Sequence, residues 1–458
     1  MLPELTLWLL PHSHADVGWL QTVNSLARVN VSRIISGVVA SLDASPTRRF
    51  VWDEMAFLQY WWDHEATTAE QTSFVSHVQS KRLEFVDNGW SQHDMGATTL
   101  DSMLNNWQTG HEWIREKVGA QYLPRIGWSL DPFGVSATQA TLQALQGMDG
   151  WFFTRLSADV VEARKKDQSL EFIWRASSSL PANVSEIFCH VYESYYCMPH
   201  DFQFEWSAPF PNATTLPPLA KLLANLTRTR SAWFRTKHVL IPWGCDYMYQ
   251  DANLTYSATD LLIEAVNAKS SEWHVTARYG TPSEYMDAVL TASASSAPAS
   301  TGALAGSLPK VAAAETAGGA AAGGAAQAAS VAAATTAAAA AAAVAPGVRF
   351  PVEPYGTGLG FPYQDWSGYF TSRPTLKRLS QEAHTALYSA EQIFVRRARK
   401  VPQATREELW ALLESARQNA AIVQHHDAIT GTFCAASADR GVPTRNRLPA
   451  AAQSAASR

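Results

Sequence analysis

LTLWLLPHSHADVGW (Leu5–Trp19) joins an apolar run to side chains that can carry chemistry. Its first six residues have the length and composition of a short buried strand. They lead into His12, His14 and Asp16, two imidazoles and a carboxylate within five residues. In parallel α/β folds, ligands bind at the carboxyl ends of the strands. The stretch therefore predicts an α/β domain with a site at the end of its first strand.

Two later stretches have the same form. The run that ends at Leu130 alternates apolar residues as in a strand and leads directly into Asp131-Pro-Phe-Gly. The apolar run Val239–Pro242 is followed, after one residue, by Gly-Cys-Asp246-Tyr. Because the carboxyl ends of parallel strands share one face of the domain, we expect Asp131 and Asp246 to lie close to the first group.

A fourth group, His425, His426 and Asp427, follows a predicted helix in the C-terminal part of the chain. Thr405 and Glu408 have the spacing of a capping box, which predicts that this helix begins at Thr405. Its apolar residues recur at helical spacing and predict one buried face. These residues are Leu409, Leu412, Leu413, Ala416, Ala420 and Val423.

Each group also has an ordinary structural explanation. His-x-Asp is often a capped turn, Asp-Pro-Phe-Gly is a plausible turn, and Gly-x-Asp after a strand is often a helix cap. Paired His residues at a helix end can complement the helix dipole. Taken together, two His and two carboxylates would give one Zn²⁺ its N and O ligands and nearly neutralise it. An open coordination position would remain for a substrate.

The composition limits the class of protein. The chain has 458 residues, of which 47% are hydrophobic and 17% charged, enough apolar content for about two or three domains and too much for disorder. Its 36 basic and 41 acidic residues give a net charge of -5, and the basic residues are scattered. This pattern excludes a nucleic-acid-binding surface. No apolar run reaches the ~18 residues of a membrane span.

The first ten residues lack the basic region and the cleavage site of a signal peptide. Five Asn residues nevertheless lie in Asn-x-Ser/Thr triplets, which indicates a secretory-pathway protein whose signal lies upstream of this start. They are Asn30, Asn183, Asn212, Asn225 and Asn253. The four Cys residues make no disulfide framework, but Cys189 and Cys197 could bridge a local loop.

Composition divides the chain into four regions. Residues 1–288 have the rhythm of an α/β domain, and residues 289–348 form an Ala/Ser/Gly-rich insertion that cannot bury a core. Residues 349–434 return to a globular composition and are predicted to be helical. The tail, residues 435–458, is predicted to be unstructured.

Four long motifs resemble the signatures of the α-mannosidases of glycoside hydrolase family thirty-eight and occur in the family's order. They are His12–Trp19, Trp128–Gly134, Gly368–Arg378 and Gln424–Thr432. RLEFVDNGW (Arg82–Trp90) and WRASSSL (Trp174–Leu180) resemble the lysosomal branch more than the Golgi branch. The similarity covers about residues 5–288 and 350–432.

The resemblance implies a seven-stranded α/β barrel-like catalytic domain followed by a three-helix bundle. It implies one Zn²⁺ per chain, Asp131 as nucleophile and Asp246 as general acid/base, with His12 structural. The implied zinc ligands are His14, Asp16, Asp131 and His426. The residues implied to contact the sugar or the catalytic carboxylates are Trp19, Phe133, Arg155, Tyr196 and Asp427.

The expected activity is the retaining hydrolysis of terminal non-reducing α-D-mannose of N-glycans, in glycoprotein catabolism within a lysosome, vacuole or secretory lumen. The cis 2- and 3-hydroxyls of mannose can chelate one metal ion. Retention needs two carboxyl groups about 5 to 5.5 Å apart. The expected partners are mannose-containing glycans, with no nucleic acid and no membrane, and a homodimer is left open.

Three departures from the family pattern stand out. Val135 replaces the usual His after Asp-Pro-Phe-Gly, and the Ala-rich insertion is foreign to the pattern. The resemblance also stops after Thr432, where the family continues into a long all-β region. We therefore expect the chain to be part of a longer protein. One alternative is a truncated relic that binds mannose without turnover. A metal-dependent amidohydrolase is less favoured, because no further His follows the later strands.

Overall fold

The computed structural model describes residues 3–295 and 366–433. Its regular elements alternate between short strands and helices along most of the first range. The strands are β1 (Leu5–Pro11), β2 (Phe50–Trp52), β3 (Leu83–Phe85), β4 (Ile126–Ser129), β5 (Gly150–Phe153), β6 (Glu171–Arg175), β7 (Glu186–Val191), β8 (His238–Trp243) and β9 (Val275–Tyr279). The predicted Ala-rich insertion from residue 296 onward and the predicted tail lie outside the described residues.

The α-helices of the first range connect these strands. They are α1 (Val23–Leu26), α2 (Ser32–Ala44), α3 (Met55–His64), α4 (Thr68–Gln79), α5 (Leu100–Lys117), α6 (Ala137–Leu145), α7 (Ala158–Lys166), α8 (Ala182–Ser185), α9 (Leu216–Ser231), α10 (Ala252–Ala268), α11 (Ser270–Trp273) and α12 (Pro282–Ser295). Two long helices follow in the second range, α13 (Pro374–Arg397) and α14 (Gln403–Val423).

The first apolar run forms β1, as predicted, at the centre of a three-stranded parallel sheet in the order β8-β1-β9. Successive side chains of β1 point to opposite faces of the sheet. Leu7 and Leu9 belong to the largest apolar cluster, whereas Trp8 and Leu10 belong to a second cluster. A strand that is buried on both faces explains why this run is almost continuously apolar.

The remaining strands form two further sheets. Strands β2 and β3 pair in parallel, and the four-stranded sheet has the order β4-β5-β7-β6, with β6 antiparallel to β7. The described part of the chain is therefore a mixed α/β structure with small sheets. Its hydrogen bonding does not confirm the seven-stranded, barrel-like arrangement, because the strands divide among three sheets.

The two long C-terminal helices pack on each other, and α14 also packs on α5 of the α/β region. The Asn105 side chain donates a hydrogen bond to the carbonyl of Arg417, 3.2 Å away, and the Ser91 hydroxyl donates one to the carbonyl of Ala421 at 2.9 Å. These contacts attach the end of α14 to the α/β region. The C-terminal end of α14, which precedes the predicted His-His-Asp group, is thus attached to the α/β region.

Two predictions for α14 are wrong in detail. The helix begins at Gln403 rather than Thr405, directly after Pro402, and no side-chain capping bond forms at its start in the described structure. Pro402 occupies the N-cap position with a φ of -53° and a ψ of 152°, and its ring offers no hydrogen-bond acceptor to the first turn. Its predicted buried face is only partly covered among the described residues, since Leu412 is 38% exposed.

Within residues 3–295 and 366–433, none of the helices combines the length and the apolar composition that crossing a membrane requires.

Candidate active site

Four side chains from three parts of the chain meet in one buried group. They are His14, Asp16, Asp131 and His426, and each offers a ligand atom within 4.8 Å of the others. Nε2 of His14 lies 2.9 Å from Oδ1 of Asp16, and Nε2 of His426 lies 3.0 Å from the same oxygen. Oδ2 of Asp131 lies 3.1 Å from Nε2 of His426. The group brings together two imidazoles and two carboxylates, a donor set that suits one Zn²⁺.

The first pair of this group is fixed by the end of β1. The backbone N–H of His14 donates to the carbonyl of Cys245, and the N–H of Tyr247 donates to the carbonyl of His14, at 3.2 and 2.8 Å. Gly244 makes this approach feasible, because a Cβ atom there would overlap the carbonyl oxygen of His12. The loop after β8 is thereby held against the loop after β1.

Asp131 is held by Arg155 and by Gln92. Nε of Arg155 donates a hydrogen bond to Oδ1 of Asp131 at 2.6 Å, and the side-chain oxygen of Gln92 accepts one from the Asp131 backbone N–H at 3.1 Å. Burial alone would raise the pKa of Asp131. The Arg155 charge and hydrogen bonds from His14 and His426 instead hold that pKa well below its usual range. Asp131 is therefore a carboxylate at neutral pH.

His426 is oriented by a backbone carbonyl. Its Nδ1–H donates to the carbonyl of Gln92, 2.8 Å away, which directs Nε2 toward Asp16 and Asp131. Histidines that bind metals are commonly held in this way through their second nitrogen. The side-chain and backbone oxygens of Gln92 thus position one residue of the α/β region, Asp131, and one residue that follows α14, His426.

The group has an excess of negative charge that favours a cation. Burial would lower the pKa of His14, but the carboxylates of Asp16 and Asp131 raise it well above its ordinary value. His426 shows the same direction of pKa shift, against its burial, because of the same two carboxylates. The electrostatic field that would hold protons on two buried imidazoles would equally hold a divalent cation.

Asp246 lies beside this group without joining the four ligand atoms. The hydroxyl of Tyr196 donates a hydrogen bond to Oδ1 of Asp246, 2.8 Å away. Burial raises the pKa of Asp246 to about 6, against the charge of His14 and the hydrogen bond from Tyr196. Asp16 and Asp131 add to the rise. Asp131 is therefore ionised at neutral pH, whereas the pKa of Asp246 lies close to neutral pH.

Arg155 and two tyrosines connect Asp131 to Asp246. Arg155 also donates a hydrogen bond to the hydroxyl of Tyr195, 3.2 Å away, and the rings of Tyr195 and Tyr196 lie 4.1 Å apart between centroids. Arg155 has a φ of 48°, a left-handed conformation that non-glycine residues seldom adopt. Its surroundings therefore hold the guanidinium in place at a backbone cost.

The other predicted sugar-binding residues occupy different surroundings. Phe133 packs edge-on against Trp366 and His426, with ring centroids 5.1 and 6.0 Å apart. Asp427 is buried, and its Oδ2 lies 3.5 Å from Nε2 of His425. Trp19 is half-buried in the loop that follows Asp16. The structure thus brings Phe133 and Asp427 to the group and places Trp19 in the loop that leads away from it.

His12 lies outside the group of ligand atoms. Its Nε2 forms a 2.9 Å hydrogen bond with the carbonyl of Tyr196. This contact agrees with the structural role expected for His12, because it links the end of β1 to the segment that carries Tyr196.

Several further residues of the site were not predicted from the sequence. Gln92, Tyr195 and Trp366 contact Asp131, Arg155 and Phe133 in the ways given above. Glu54 was also missed, and its Oε1 lies 3.8 Å from Nδ1 of His14. The sequence did contain a signal for Glu54, because this carboxylate follows the apolar strand β2 at the same spacing at which Asp131 follows β4. Neutral Gln and Tyr side chains give no comparable signal.

The suggested pairing of Cys189 with Cys197 is wrong. Cys197 forms a disulfide with Cys245, and Cys189 is a free, buried thiol. Cys189 points from β7 into an apolar cluster, whereas Cys197 lies in the loop after that strand, next to the loop after β8. Burial raises the pKa of the Cys189 thiol, so this residue stays protonated and unreactive.

Known proteins are similar in sequence to this chain over most of its length. The chain is 30% identical over 457 residues to the epididymis-specific alpha-mannosidase of Sus scrofa, and 30% identical over 447 residues to the lysosomal alpha-mannosidase of Dictyostelium discoideum. These alignments cover 95% and 93% of this chain but 40% and 38% of the two relatives. The chain therefore spans less than half the length of these relatives.

A solved alpha-mannosidase from Enterococcus faecalis aligns with a TM-score of 0.47 and 14% identity, over 63% of this chain and 29% of that one. Residues 364–446 match the alpha mannosidase middle domain. Residues 4–303 match the N-terminal domain of the glycosyl hydrolases family 38. That second match covers well over half of the sequence, and the chain accordingly belongs to glycosyl hydrolases family 38.

Proposed function

We propose that this chain provides the catalytic site of a zinc-dependent, retaining α-mannosidase that removes terminal non-reducing α-D-mannose from N-glycans. Membership of family 38 and the names of the relatives support the reaction class. The observation that carries the proposal is the convergence of His14, Asp16, Asp131 and His426 on one point. The substrate is then a mannose-containing glycan.

The donor set fits Zn²⁺, because buried imidazole and carboxylate ligands in a group of four suit that ion. When bound, the ion would polarise the mannose and hold its cis 2- and 3-hydroxyls. The carbonyl of Gln92 accepts a hydrogen bond from Nδ1 of His426 and would orient that imidazole, while Oε1 of Glu54 lies 3.8 Å from Nδ1 of His14. The chain thus supplies both the ligands and their supports.

Asp131 is the proposed nucleophile. One of its carboxylate oxygens would attack C1 of the mannose, and the bond from C1 to the leaving oxygen would break. Arg155 keeps Asp131 ionised and fixes its orientation, as its ion pair with Oδ1 indicates. A glycosyl ester of Asp131 would result, and the leaving group would depart as an alcohol.

Asp246 is the proposed general acid and base. Its raised pKa allows it to carry a proton near pH 6 and give it to the leaving oxygen in the first step. As a carboxylate, Asp246 would then take a proton from the water that attacks C1 and frees Asp131. Two displacements at C1 retain its configuration.

The remaining predicted residues would shape the sugar pocket. Phe133 presents a ring next to His426, and Arg155 and Tyr196 lie beside the two carboxyl groups. These positions are suited to contacts with the sugar ring and its hydroxyls. Trp19 and Asp427 complete the set that we propose to bind mannose.

We place the protein in a lysosomal or other luminal compartment. Lysosomal alpha-mannosidases are among its relatives, and the chain carries five Asn-x-Ser/Thr triplets. The Cys197–Cys245 disulfide supports the same location, because disulfides persist in oxidising compartments.

Zinc content and product configuration test the proposal together. We expect about one zinc per chain by elemental analysis, most of it lost in His426→Ala but kept in His64→Ala, which removes an exposed imidazole. Proton NMR of aryl α-mannoside hydrolysis should show α-mannose as the first product. Stoichiometric zinc without hydrolysis, or β-mannose as the first product, would contradict the proposal.

A further inference from the structure

Two loops that carry proposed active-site residues are joined covalently. Tyr196 precedes Cys197, and Asp246 follows Cys245, so the disulfide connects the immediate neighbours of a hydrogen-bonded pair. The N–H of Met198 adds a backbone hydrogen bond to the carbonyl of Gly244 at 2.7 Å. The loop after β7 is thereby attached to the loop after β8.

We propose that the Cys197–Cys245 disulfide is a positioning device that holds the Tyr196 hydroxyl on Oδ1 of Asp246 and so directs the proton of the acid/base to Oδ2. This inference rests on the proposed function, because it assumes that Asp246 is the acid/base. It assigns a role in the reaction to two cysteines that touch neither the substrate nor the ligand group.

The need for a covalent connection follows from the sheet topology. Strand β7 belongs to the four-stranded sheet and β8 to the three-stranded sheet, so no strand pairing aligns the ends of these two strands. Residues 192–199, which carry Tyr196, contain no helix or strand. The disulfide adds a covalent restraint to the hydrogen bonds that His12, Arg155 and Gly244 make with this segment.

Tyr196 is buried, so the partners around it fix the direction of its hydroxyl group. Its ring lies 5.1 Å from the ring of His14 and 4.1 Å from that of Tyr195, and the residue is 1% exposed. A buried phenol needs a hydrogen-bond partner, and Asp246 supplies one. Because the phenol O–H occupies Oδ1, the proton that Asp246 gives to the leaving oxygen is carried by Oδ2.

Loss of the disulfide should selectively slow the first step for substrates that need a positioned acid. A mannoside with a poor leaving group needs the proton of Asp246, whereas a dinitrophenyl mannoside needs little of it. In the Cys197→Ser/Cys245→Ser double variant we expect kcat/KM for methyl α-mannoside, which reports the first step, to fall about tenfold or more, part of the effect of general acid catalysis. We expect kcat/KM for the dinitrophenyl substrate and the zinc content to change less than about threefold.

Three further measurements separate positioning from folding stability. Tyr196→Phe keeps the disulfide and should show the same selective loss. Reduction of the wild-type protein should produce the loss, and reoxidation should reverse it. Cys189→Ala, which removes a buried free thiol of the described residues, should behave like the wild type. Peptide mapping without reduction should find Cys197 linked to Cys245.

The outcomes distinguish this inference from the function on which it rests. Equal losses of kcat/KM for both substrates, or no loss for either, would overturn the positioning role, as would unlinked Cys197 and Cys245 peptides. A zinc-loaded wild-type protein that hydrolyses neither mannoside would contradict the proposed function, and the positioning role would fall with it. The peptide map reports the linkage in either case.

Discussion

Nε2 of His426 lies 3.1 Å from Oδ2 of Asp131, although 295 positions separate the two residues in the chain. Asp131 follows β4 of the α/β region, and His426 follows α14, the last long helix of the described residues. The candidate metal site therefore exists only when these two parts are docked. The Ser91 and Asn105 hydrogen bonds to α14 stabilise that docking.

Replacement of the proposed nucleophile should abolish turnover. In Asp131→Asn we expect kcat to fall by more than about a thousandfold, because an amide cannot attack C1. The amide oxygen can still accept hydrogen bonds from Arg155, so mannose binding measured by calorimetry should persist if zinc is retained. Asp287→Asn, an exposed carboxylate in an ion pair with Arg125, is the control. Normal turnover of Asp131→Asn would rule out this nucleophile.

Replacement of the proposed acid/base should discriminate among substrates. We expect Asp246→Asn to lower kcat for oligomannosides by about a hundredfold or more, within the range of general acid catalysis. The first step with a dinitrophenyl mannoside needs no acid, so a burst of dinitrophenol should remain in rapid-mixing experiments. Equal suppression of the burst and of natural-substrate turnover would count against the acid role of Asp246.

The Tyr196 hydroxyl should shift the pH profile. Its hydrogen bond favours the ionised form of Asp246 and lowers a pKa that burial raises to about 6. In Tyr196→Phe that pKa should rise, so the protonated acid persists at higher pH and the basic limb of kcat/KM moves upward. The charges of His14, Asp16 and Asp131 also face Asp246 and are unchanged in this variant. A limb that stays in place, or moves to lower pH, would disprove the coupling.

Close approach at Gly244 should make this position intolerant of any side chain. A Cβ there would overlap the carbonyl of His12, whereas a Cβ on Gly368 would meet no described atom within 4 Å. We expect Gly244→Ala to lower the free energy of unfolding by about 2 kcal/mol. Gly368→Ala should change it by less than about 0.5 kcal/mol. Thermal denaturation of both variants compares the two sites, and equal stabilities would refute the close packing.

Exposure should decide which Asn-x-Ser/Thr triplets carry glycans. Asn183, Asn212, Asn225 and Asn253 are exposed, whereas Asn30 is half-buried and its Oδ1 is buried without a described hydrogen-bond partner. After secretion from a eukaryotic cell, enzymatic deglycosylation in heavy-oxygen water and mass spectrometry should mark the four exposed positions but not Asn30. A glycan on Asn30 of a folded, active protein would contradict the predicted burial.

Local sequence predicted much of the α/β region. The apolar runs before His12, Asp131 and Asp246 form β1, β4 and β8, because short buried strands need continuous apolar residues. The same signal should have drawn attention to Glu54 after β2. The helix α14 begins two residues before the predicted start, at Gln403, because the capping box predicted at Thr405 does not form.

The long motifs and the order in which they occur identify the family of this protein, because both are properties of the chain alone. Which of their side chains meet depends on the fold. Only the docking of α14 brings His426 to Asp131, and only the meeting of two loops pairs Cys197 with Cys245. The hydrogen bonds between Asp131 and Gln92 and between Arg155 and Tyr195 also depend on the fold. They join residues that are distant in sequence, and no local pattern encodes the distances between such residues.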